Sequence, residues 1–237
     1  TDIWIEHSKK IRREFAKFKN NDKQITIPNS LKMLLIERAK IAKKAKNKLN
    51  ATLSIIKNEF KDNGEQRWLI YCQDLEQMEE LRALLIKNGY TSSIYYSDMK
   101  AEEKSNALDI FENQGGLLLS IKCLDEGVDI PGATHALILA SSSNKREYIQ
   151  RRGRVLRLNP NNPYKIAKIF DLITLSSDIN DLSIKSLIAT EVIRAYEFAE
   201  YSLNSSNIKI DLESIFEQYD ISSEDKLNCR DNDYEDA

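Results

Sequence analysis

Glycine, cysteine and histidine are scarce in this chain, and each shortage argues against a kind of site. Of the seven glycines, only Gly127 and Gly132 have the spacing of a phosphate-binding GxxxxGK[ST] loop, and Ala133 stands where that loop requires lysine. The three cysteines form no CxxC pair, which indicates a reducing compartment rather than a disulfide framework. Because only His7 and His135 could add nitrogen ligands, no metal site is expected.

Long apolar runs are absent as well. No stretch approaches the roughly 18 consecutive apolar residues of a membrane span, and residues 1–15 contain no hydrophobic signal-peptide core. The apolar fraction of 41% and the charged fraction of 30% are those of an ordinary globular protein. The sequence therefore predicts a cytoplasmic protein that does not enter a membrane.

The net charge of −2 conceals a steep gradient along the chain. Residues 1–66 carry 16 Lys and Arg against 8 Asp and Glu, residues 67–171 carry 14 of each, and residues 172–237 carry 5 against 15. The basic end could meet nucleic acid, which the acidic end would repel. Alternatively, the basic and acidic helices only solvate one another across a domain, and charge alone favours neither interpretation.

Helical periodicity marks both ends of the chain. Apolar residues recur at helical spacing over residues 31–60, after start signals at residues 28–30, so one long helix is predicted there. An earlier helix is predicted over residues 5–19, and helical spacing returns over residues 176–220. Within the long helix, the basic stretch of residues 37–50 wraps most of the surface not used by the apolar stripe and is interpreted as a solvated face or a DNA-binding stripe: Arg38, Lys40, Lys43, Lys44, Lys46 and Lys48.

The middle of the chain alternates strand and helix patterns. Helices are predicted over residues 75–86, closing at Asn88 and Gly89, and from a cap at Asp98 to Phe111. The apolar runs of strand length lack polar alternation, which is typical of parallel strands buried on both faces. These runs cover residues 67–72, 91–97, 116–121, 135–140 and 165–173. The predicted fold class is α/β, with a mostly parallel five-stranded sheet.

Four regions follow from these patterns. We predict a helical extension over residues 1–62, the α/β domain over residues 63–175 and a helical extension over residues 176–222. Residues 223–237 are acidic and poor in apolar side chains, which predicts a disordered tail.

Ligands of open parallel sheets gather at the carboxyl ends of the strands, so the loops after the third and fourth runs are candidate sites. In the second of these loops, the segment YIQRRGRVLR places Gln150, Arg154 and Arg157 on one helical face. Paired guanidinium groups match phosphate oxygens. Gly153 is predicted on the opposite, buried face, where it would let the helix approach the sheet.

These loops resemble conserved motifs of the superfamily 2 helicases and translocases. The segment LLLSIKCLDEGVDIPGATHALILASS resembles motif V, YIQRRGRVLR resembles motif VI in its QxxGRxxR form, and RWLIYCQD is similar to motif IV. The resemblance covers residues 67–173 and is nearest in texture to bacterial DEAD/DEAH-type helicases related to restriction subunits. It implies the C-terminal RecA-like domain of such a helicase, a parallel sheet sandwiched by helices.

The resemblance implies roles for five residues near a nucleotide. Arg154 and Arg157 match the arginine fingers that reach the γ-phosphate of ATP across a cleft. Gln150 matches a position near the nucleotide, Asp129 the aspartate on the ribose hydroxyl, and Gly127 a glycine whose backbone approaches the nucleotide. As alternatives, Asp129 could cap a turn and the two arginines could pair with acidic neighbours.

Nucleic-acid contacts are implied for Gln73, Ser97, Ser120 and Lys122. In this family such contacts grip phosphates without reading sequence. The alignment could slip by one residue from Ser120 to Ile121. Each of these residues could equally be a turn former at a strand end.

The family's phosphate loop and DEAD or DEAH box are both missing from the sequence. The chain also starts at Thr1 instead of a methionine, so it is expected to be part of a larger ATP-dependent DNA helicase, inactive alone. ATP, with Mg²⁺, would be held mainly by an N-terminal RecA-like domain of the same polypeptide. DNA is the expected nucleic acid, with RNA second. The alternative is a nonenzymatic adaptor that binds nucleic acid or protein.

Overall fold

The computed structural model describes residues 2–19, 28–121, 132–140, 153, 165–176 and 182–222. Within these ranges the chain forms seven helices and five strands that we label in order. The helices are α1 (Asp2–Lys19), α2 (Asn29–Lys43), α3 (Asn47–Glu59), α4 (Leu75–Lys87), α5 (Ala101–Gln114), α6 (Leu182–Ala199) and α7 (Ser205–Gln218). The strands are β1 (Arg67–Tyr71), β2 (Ser93–Tyr95), β3 (Gly116–Ser120), β4 (His135–Ile138) and β5 (Lys168–Asp171).

The five strands form one sheet in the order β2-β3-β1-β4-β5, and every pairing is parallel. The predicted α/β class with a parallel five-stranded sheet is therefore confirmed. Nearly every residue of the three central strands is buried, whereas the edge strands β2 and β5 are partly exposed. Central burial on both faces explains why the sequence shows uninterrupted apolar runs rather than alternation.

Helices α3 and α4 cover one face of this sheet. Trp68 lies at the centre of their shared core, stacked against His135 at 4.4 Å and Phe170 at 5.4 Å between ring centroids. Phe60 meets the same indole edge-on at 6.3 Å. The fully buried side chains around Trp68 come from both helices and three strands: Ile56, Ile70, Met78, Leu81, Leu85, Leu119, Leu137 and Leu139.

The ends of α4 agree with the sequence patterns, but the start of α5 does not. Helix α4 ends at Lys87 and is followed by Gly89 at φ +83°. Helix α5 begins at Ala101, so the predicted cap at Asp98 is wrong. Lys100 has extended backbone at the cap position, and the Glu103 carboxylate accepts its backbone N–H at 3.0 Å, which satisfies the first turn without Asp98.

The single long helix predicted over residues 31–60 is interrupted at residues 44–46, between α2 and α3. The break separates two cores. Ala42 at the end of α2 belongs to a core of helices, whereas Ile56 of α3 belongs to the core of the sheet. One uninterrupted apolar stripe therefore serves two different packing partners, which its periodicity could not reveal.

The described contacts group the chain into two units: residues 44–172 with the sheet, and residues 1–43 with residues 173–237. In the second unit α1 packs on α2 and α6 packs on α7. The same unit contains an ion pair between the buried Arg194 and the partly buried Glu191, 3.5 Å apart, and the Glu191 carboxylate also accepts the Thr174 backbone N–H at 3.1 Å. The domain boundaries predicted from sequence stay predictions. None of the described helices is both long and apolar enough to cross a membrane.

Gly115, between α5 and β3, allows a sharp test of the backbone. It has φ +75° and ψ −154°, a region that is essentially restricted to glycine. A Cβ there would lie 2.7 Å from the Gln66 carbonyl oxygen and 2.9 Å from that of Gly64. We expect Gly115→Ala to lower the free energy of unfolding by about 3 kcal/mol, from backbone strain plus this overlap.

The matched control is Gly89→Ala. Gly89 also has positive φ, at +83°, but a Cβ there would meet nothing within 4 Å. It is expected to cost only about 1 kcal/mol in chemical denaturation. Equal losses for the two variants would mean that the approach of the two carbonyl oxygens to Gly115 contributes nothing.

His135 makes the stability of the sheet unit depend on pH. Burial, aided by the Lys168 charge, lowers the pKa of His135 to about 4. The unfolded chain, with a histidine pKa of about 6.5, binds more protons below that pH. The contribution of His135 is therefore intact above pH 6.5 and lost as pH falls toward 4. Because solvent screens part of this effect, the loss amounts to about 1–2 kcal/mol.

Urea unfolding at pH 7 and pH 4.5 measures this loss. His135→Phe keeps a ring against Trp68 but removes the titrating group, so its stability should fall less between the two pH values. An identical fall in both proteins would assign the acid sensitivity to other residues.

Candidate functional site

The carboxyl ends of the five strands lie level along one edge of the sheet. Tyr71 at the end of β1 is in register with Ser120 on one side and Ile138 on the other, and these continue to Tyr95 and Asp171. The three predicted site residues that the structure describes, Gln73, Ser97 and Ser120, all lie at or just beyond this edge. This is the edge at which parallel sheets bind ligands.

Gln73 is held in place by the start of α4. Its backbone N–H donates to Oε1 of Gln77 at 2.8 Å, and Asp74 caps the helix by accepting the Gln77 backbone N–H at 3.0 Å. Gln73 is partly exposed, and its side-chain amide makes no hydrogen bond to any residue that the structure describes. The amide is therefore free to bind a ligand, while the backbone is fixed.

A lysine offsets the negative charge beside Gln73. Nζ of Lys44 lies 3.2 Å from the Asp74 carboxylate and also pairs with Glu76. The hydrogen bond to Glu76, together with Asp74, raises the pKa of Lys44. Lys44 was predicted to lie on a solvated or DNA-binding face. Its actual contacts reduce the repulsion that these two carboxylates would exert on a phosphate.

Ser97 is exposed at the end of β2 and is tied to α5. Its hydroxyl donates to the Asp98 carboxylate at 3.1 Å, and its carbonyl oxygen accepts Nζ of Lys104 at 2.6 Å. The backbone position is therefore anchored. The hydroxyl can donate to a phosphate once it turns away from Asp98.

Ser120 is fully buried at the end of β3. Its hydroxyl donates to the Ile121 carbonyl oxygen at 2.9 Å, and its own carbonyl accepts the Cys72 backbone N–H at 2.7 Å. This arrangement gives Ser120 a structural role and keeps its hydroxyl away from the surface. The predicted contact of Ser120 with nucleic acid stays a prediction that the described side-chain position does not support.

Lys48 reaches the same edge although it was predicted on a solvated or DNA-binding face, and that prediction is wrong. The side chain is buried, and Nζ donates to the Leu139 carbonyl oxygen just after β4, at 2.7 Å. Lys48, Thr52 and Ile56 follow one another at four-residue spacing and form the buried face of α3. That spacing from Ile56 is the sequence signal that could have placed Lys48 inside.

The remaining predicted site residues lie outside the described part of the chain: Lys122, Gly127, Asp129, Gln150, Arg154 and Arg157. Their two segments continue from Ile121 after β3 and Ala140 after β4, the strands on either side of β1. Gly153 is described and is helical, but it is exposed, and a Cβ built there meets nothing within 4 Å. The prediction that Gly153 permits a close approach to the sheet is therefore wrong.

Cys72, just after β1, is the cysteine at this edge whose position the structure describes. Burial raises the pKa of Cys72 to about 12, so this thiol stays protonated and unreactive. Among the residues with described positions, no group of three or more His, Cys, Asp or Glu side chains could hold a metal ion.

Comparison with protein families gives the site its context. The sequence model described as "Helicase conserved C-terminal domain" matches residues 32–159, more than half of the 237 residues. The chain belongs to the helicase conserved C-terminal domain family. The matched range includes α3, strands β1 to β4 and both segments that continue from β3 and β4.

Two curated relatives of this helicase C-terminal domain are similar over shorter stretches. DEAD-box ATP-dependent RNA helicase 22 of Arabidopsis thaliana is 25% identical over 111 residues, which are 47% of this chain and 19% of that protein. ATP-dependent RNA helicase eIF4A of Kluyveromyces lactis is 31% identical over 87 residues, 36% of this chain and 22% of that protein. The chain therefore matches about a fifth of the length of either relative.

A solved structure supports the fold of the helicase C-terminal domain. The crystal structure of the C-terminal part of the Fun30 ATPase domain superposes with a TM-score of 0.50 at 18% identity. The superposition covers 86% of this chain and 60% of the Fun30 chain. At this identity the similarity concerns the fold alone, and it agrees with the predicted RecA-like α/β arrangement.

Proposed function

We propose that this chain forms the C-terminal RecA-like half of an ATP-dependent nucleic-acid motor. In this proposal Arg154 and Arg157 are directed at the γ-phosphate of an ATP held by an N-terminal RecA-like domain of the same polypeptide. The observation that carries the proposal is the family match over residues 32–159, which includes both arginines and Gln150.

The chemistry assigned to the arginines is electrostatic. Negative charge spreads over the oxygens of the transferred phosphoryl group, and a guanidinium placed against them stabilises the transition state more than the bound substrate. Gln150, Asp129 and Gly127 would orient the nucleotide without taking part in bond breaking. Mg²⁺ would be held mainly by the other domain, because the proposed residues here are mostly cations and neutral groups.

The carboxyl edge of the sheet is the proposed nucleic-acid surface. Gln73 offers an amide with no described hydrogen bond, and Ser97 offers an exposed hydroxyl. Lys122 adds positive charge after β3. Contacts of this kind hold phosphates without reading bases, as a motor that moves along a strand requires.

The proposal also concerns which nucleic acid, DNA or RNA, the motor moves along. The relatives described above are named RNA helicases, so the preference for DNA drawn from the sequence has no support from them. None of them is named as a restriction subunit, and the kinship with restriction-related helicases likewise stays a prediction. We infer that RNA is the first polymer to test. A cytoplasmic location also remains part of the proposal.

The test is ATP turnover by the polypeptide that contains both RecA-like domains. Single-stranded RNA and DNA of matched sequence are added in turn, and stimulation of at least about tenfold by one of them is expected. Stronger stimulation by DNA would support the DNA helicase that was predicted from the sequence, and the proposed motor would stand. If neither polymer changed the rate of ATP turnover, the proposed nucleic-acid motor would be rejected. The nonenzymatic adaptor would then be the remaining interpretation.

A further inference from the structure

Helix α1 carries a basic face with no partner in the described structure. Lys9, Arg12 and Arg13 are all exposed, and none of them makes an ion pair or hydrogen bond with any described residue. Lys9 lies three residues before Arg12 and four before Arg13, so each arginine neighbours Lys9 on the helix surface. We call these three residues the α1 basic face.

Two of the three acidic residues of α1, Glu6 and Glu14, already pair with other lysines, and the third, Asp2, lies in the first turn of the helix. Glu6 pairs with Lys10 at 2.9 Å, and the hydrogen bond from Lys10 holds the pKa of Glu6 below its ordinary value. Glu14 pairs with Lys17. The positive charge of the α1 basic face is therefore not neutralised within the helix.

The opposite side of α1 is committed to the core of its own unit. Trp4 and Ile11 are buried there, and Arg38 of α2 lies over the Trp4 ring at 5.0 Å from its centroid. A helix that lies on a membrane needs its apolar side free to enter the lipid. Because that side is occupied here, the exposed charges fit a polyanion better than a bilayer.

We propose that the α1 basic face binds the sugar-phosphate backbone of nucleic acid. The face lies outside residues 32–159, so it is an additional contact that the helicase family match does not contain. This inference rests on the proposed function in one respect: the motor is what would use the contact in the cell. Direct binding by the chain can be measured without ATP or a second domain.

The expected signature is a change in salt dependence. The face spans about 6 Å along the helix, from Lys9 to Arg13, at the 1.5 Å rise of each residue. Each phosphate contact to a single strand releases counterions and contributes about 0.7 to the slope of log K against log salt concentration. Three contacts therefore account for a slope of about 2.

The experiment compares two triple variants that lose the same charge. Lys9→Gln, Arg12→Gln and Arg13→Gln are combined in one protein. The control replaces three exposed lysines of the sheet unit by glutamine: Lys57, Lys61 and Lys87. Fluorescence anisotropy with a labelled single-stranded 20-nucleotide RNA, from 50 to 200 mM salt, gives the dissociation constant and the slope. Circular dichroism and thermal melting establish that both variants are folded.

We expect the α1 variant to raise the dissociation constant about tenfold at 100 mM salt and to make the slope shallower by about 2. The control should stay within about twofold of the parent, since it removes only long-range attraction that salt screens. Equal weakening in both variants would mean that net charge alone acts, and would overturn the site. So would binding to anionic lipid vesicles that competes with the RNA and depends on the same three residues.

Failure of this proposal is distinguishable from failure of the motor. If RNA does not stimulate ATP turnover but the α1 variant binds RNA more weakly as expected, the motor is rejected and the contact at the α1 basic face is supported. If RNA stimulates ATP turnover but the α1 variant changes neither RNA binding nor its salt dependence, the motor is supported and the contact at the α1 basic face is rejected.

Discussion

Arg154→Ala and Arg157→Ala are each expected to lower nucleic-acid-stimulated ATP turnover of the two-domain protein by about 10³-fold or more. The loss should fall on kcat, because the guanidinium groups act on charge that develops only as the phosphoryl group is transferred. Binding of ATP should weaken much less, since the other domain is proposed to hold most of the nucleotide.

Two further variants make this prediction specific. Arg152→Ala removes a neighbouring arginine that is not a fixed position of the QxxGRxxR pattern and should leave turnover within a few-fold of the parent. Arg154→Lys keeps the charge but loses the planar fork, so it should recover only part of the rate. If Arg154→Ala and Arg157→Ala behave like Arg152→Ala, the assignment of the arginine fingers is wrong.

Trp68→Ala is expected to have the largest effect on stability, about 3–5 kcal/mol. The side chain is completely buried, and its indole stacks against both His135 and Phe170 while Phe60 meets it edge-on. Its Nε1 donates to Oε1 of Gln66 at 2.9 Å. Truncation would remove three ring contacts and a hydrogen bond and leave a cavity beside β1.

Chemical denaturation followed by far-ultraviolet circular dichroism measures this loss. Trp68→Phe keeps a ring in the stack but removes the indole N–H, so it should cost distinctly less than Trp68→Ala. A variant that fails to fold would agree with the upper end of the estimate, and Trp68→Phe then supplies the measurable value. A loss below about 1 kcal/mol for Trp68→Ala would show that the aromatic cluster does not organise the core.

The strands could be predicted because their burial is nearly complete. In β1, β3 and β4 almost every side chain is enclosed, so the apolar run and the strand coincide within one or two residues. The end of α4 was predictable for a local reason: Gly89 adopts positive φ at little cost and stops the helix. Features fixed by adjacent residues were therefore visible in the sequence.

Features fixed by distant residues were not predictable from periodicity. The interruption at residues 44–46 depends on which core each half of the apolar stripe enters. Lys48 is buried because the Leu139 carbonyl oxygen, 91 residues further along the chain, accepts its hydrogen bond. The start of α5 is an exception, because a local contact decides it: the Glu103 carboxylate accepts the Lys100 backbone N–H, and the helix begins without the predicted cap at Asp98.

The position of the candidate site could be predicted from the sequence, whereas the exposure of its side chains could not. Strand order brings Gln73, Ser97 and Ser120 to one edge, as the rule for parallel sheets indicated. Which of these side chains could reach a ligand was decided by packing, since Ser120 is enclosed while Gln73 and Ser97 are not. The motif resemblance predicted the family, and the match over residues 32–159 confirms it.

The most direct test of the account is ATP turnover by reconstitution in trans. The proposed N-terminal RecA-like domain and this chain are assayed separately and then together, with single-stranded RNA or DNA present. We expect negligible turnover by either part alone and nucleic-acid-dependent turnover when both are mixed. Full turnover by this chain alone, or none by the mixture when the intact polypeptide is active, would contradict the claim that its arginines complete a site held by another domain.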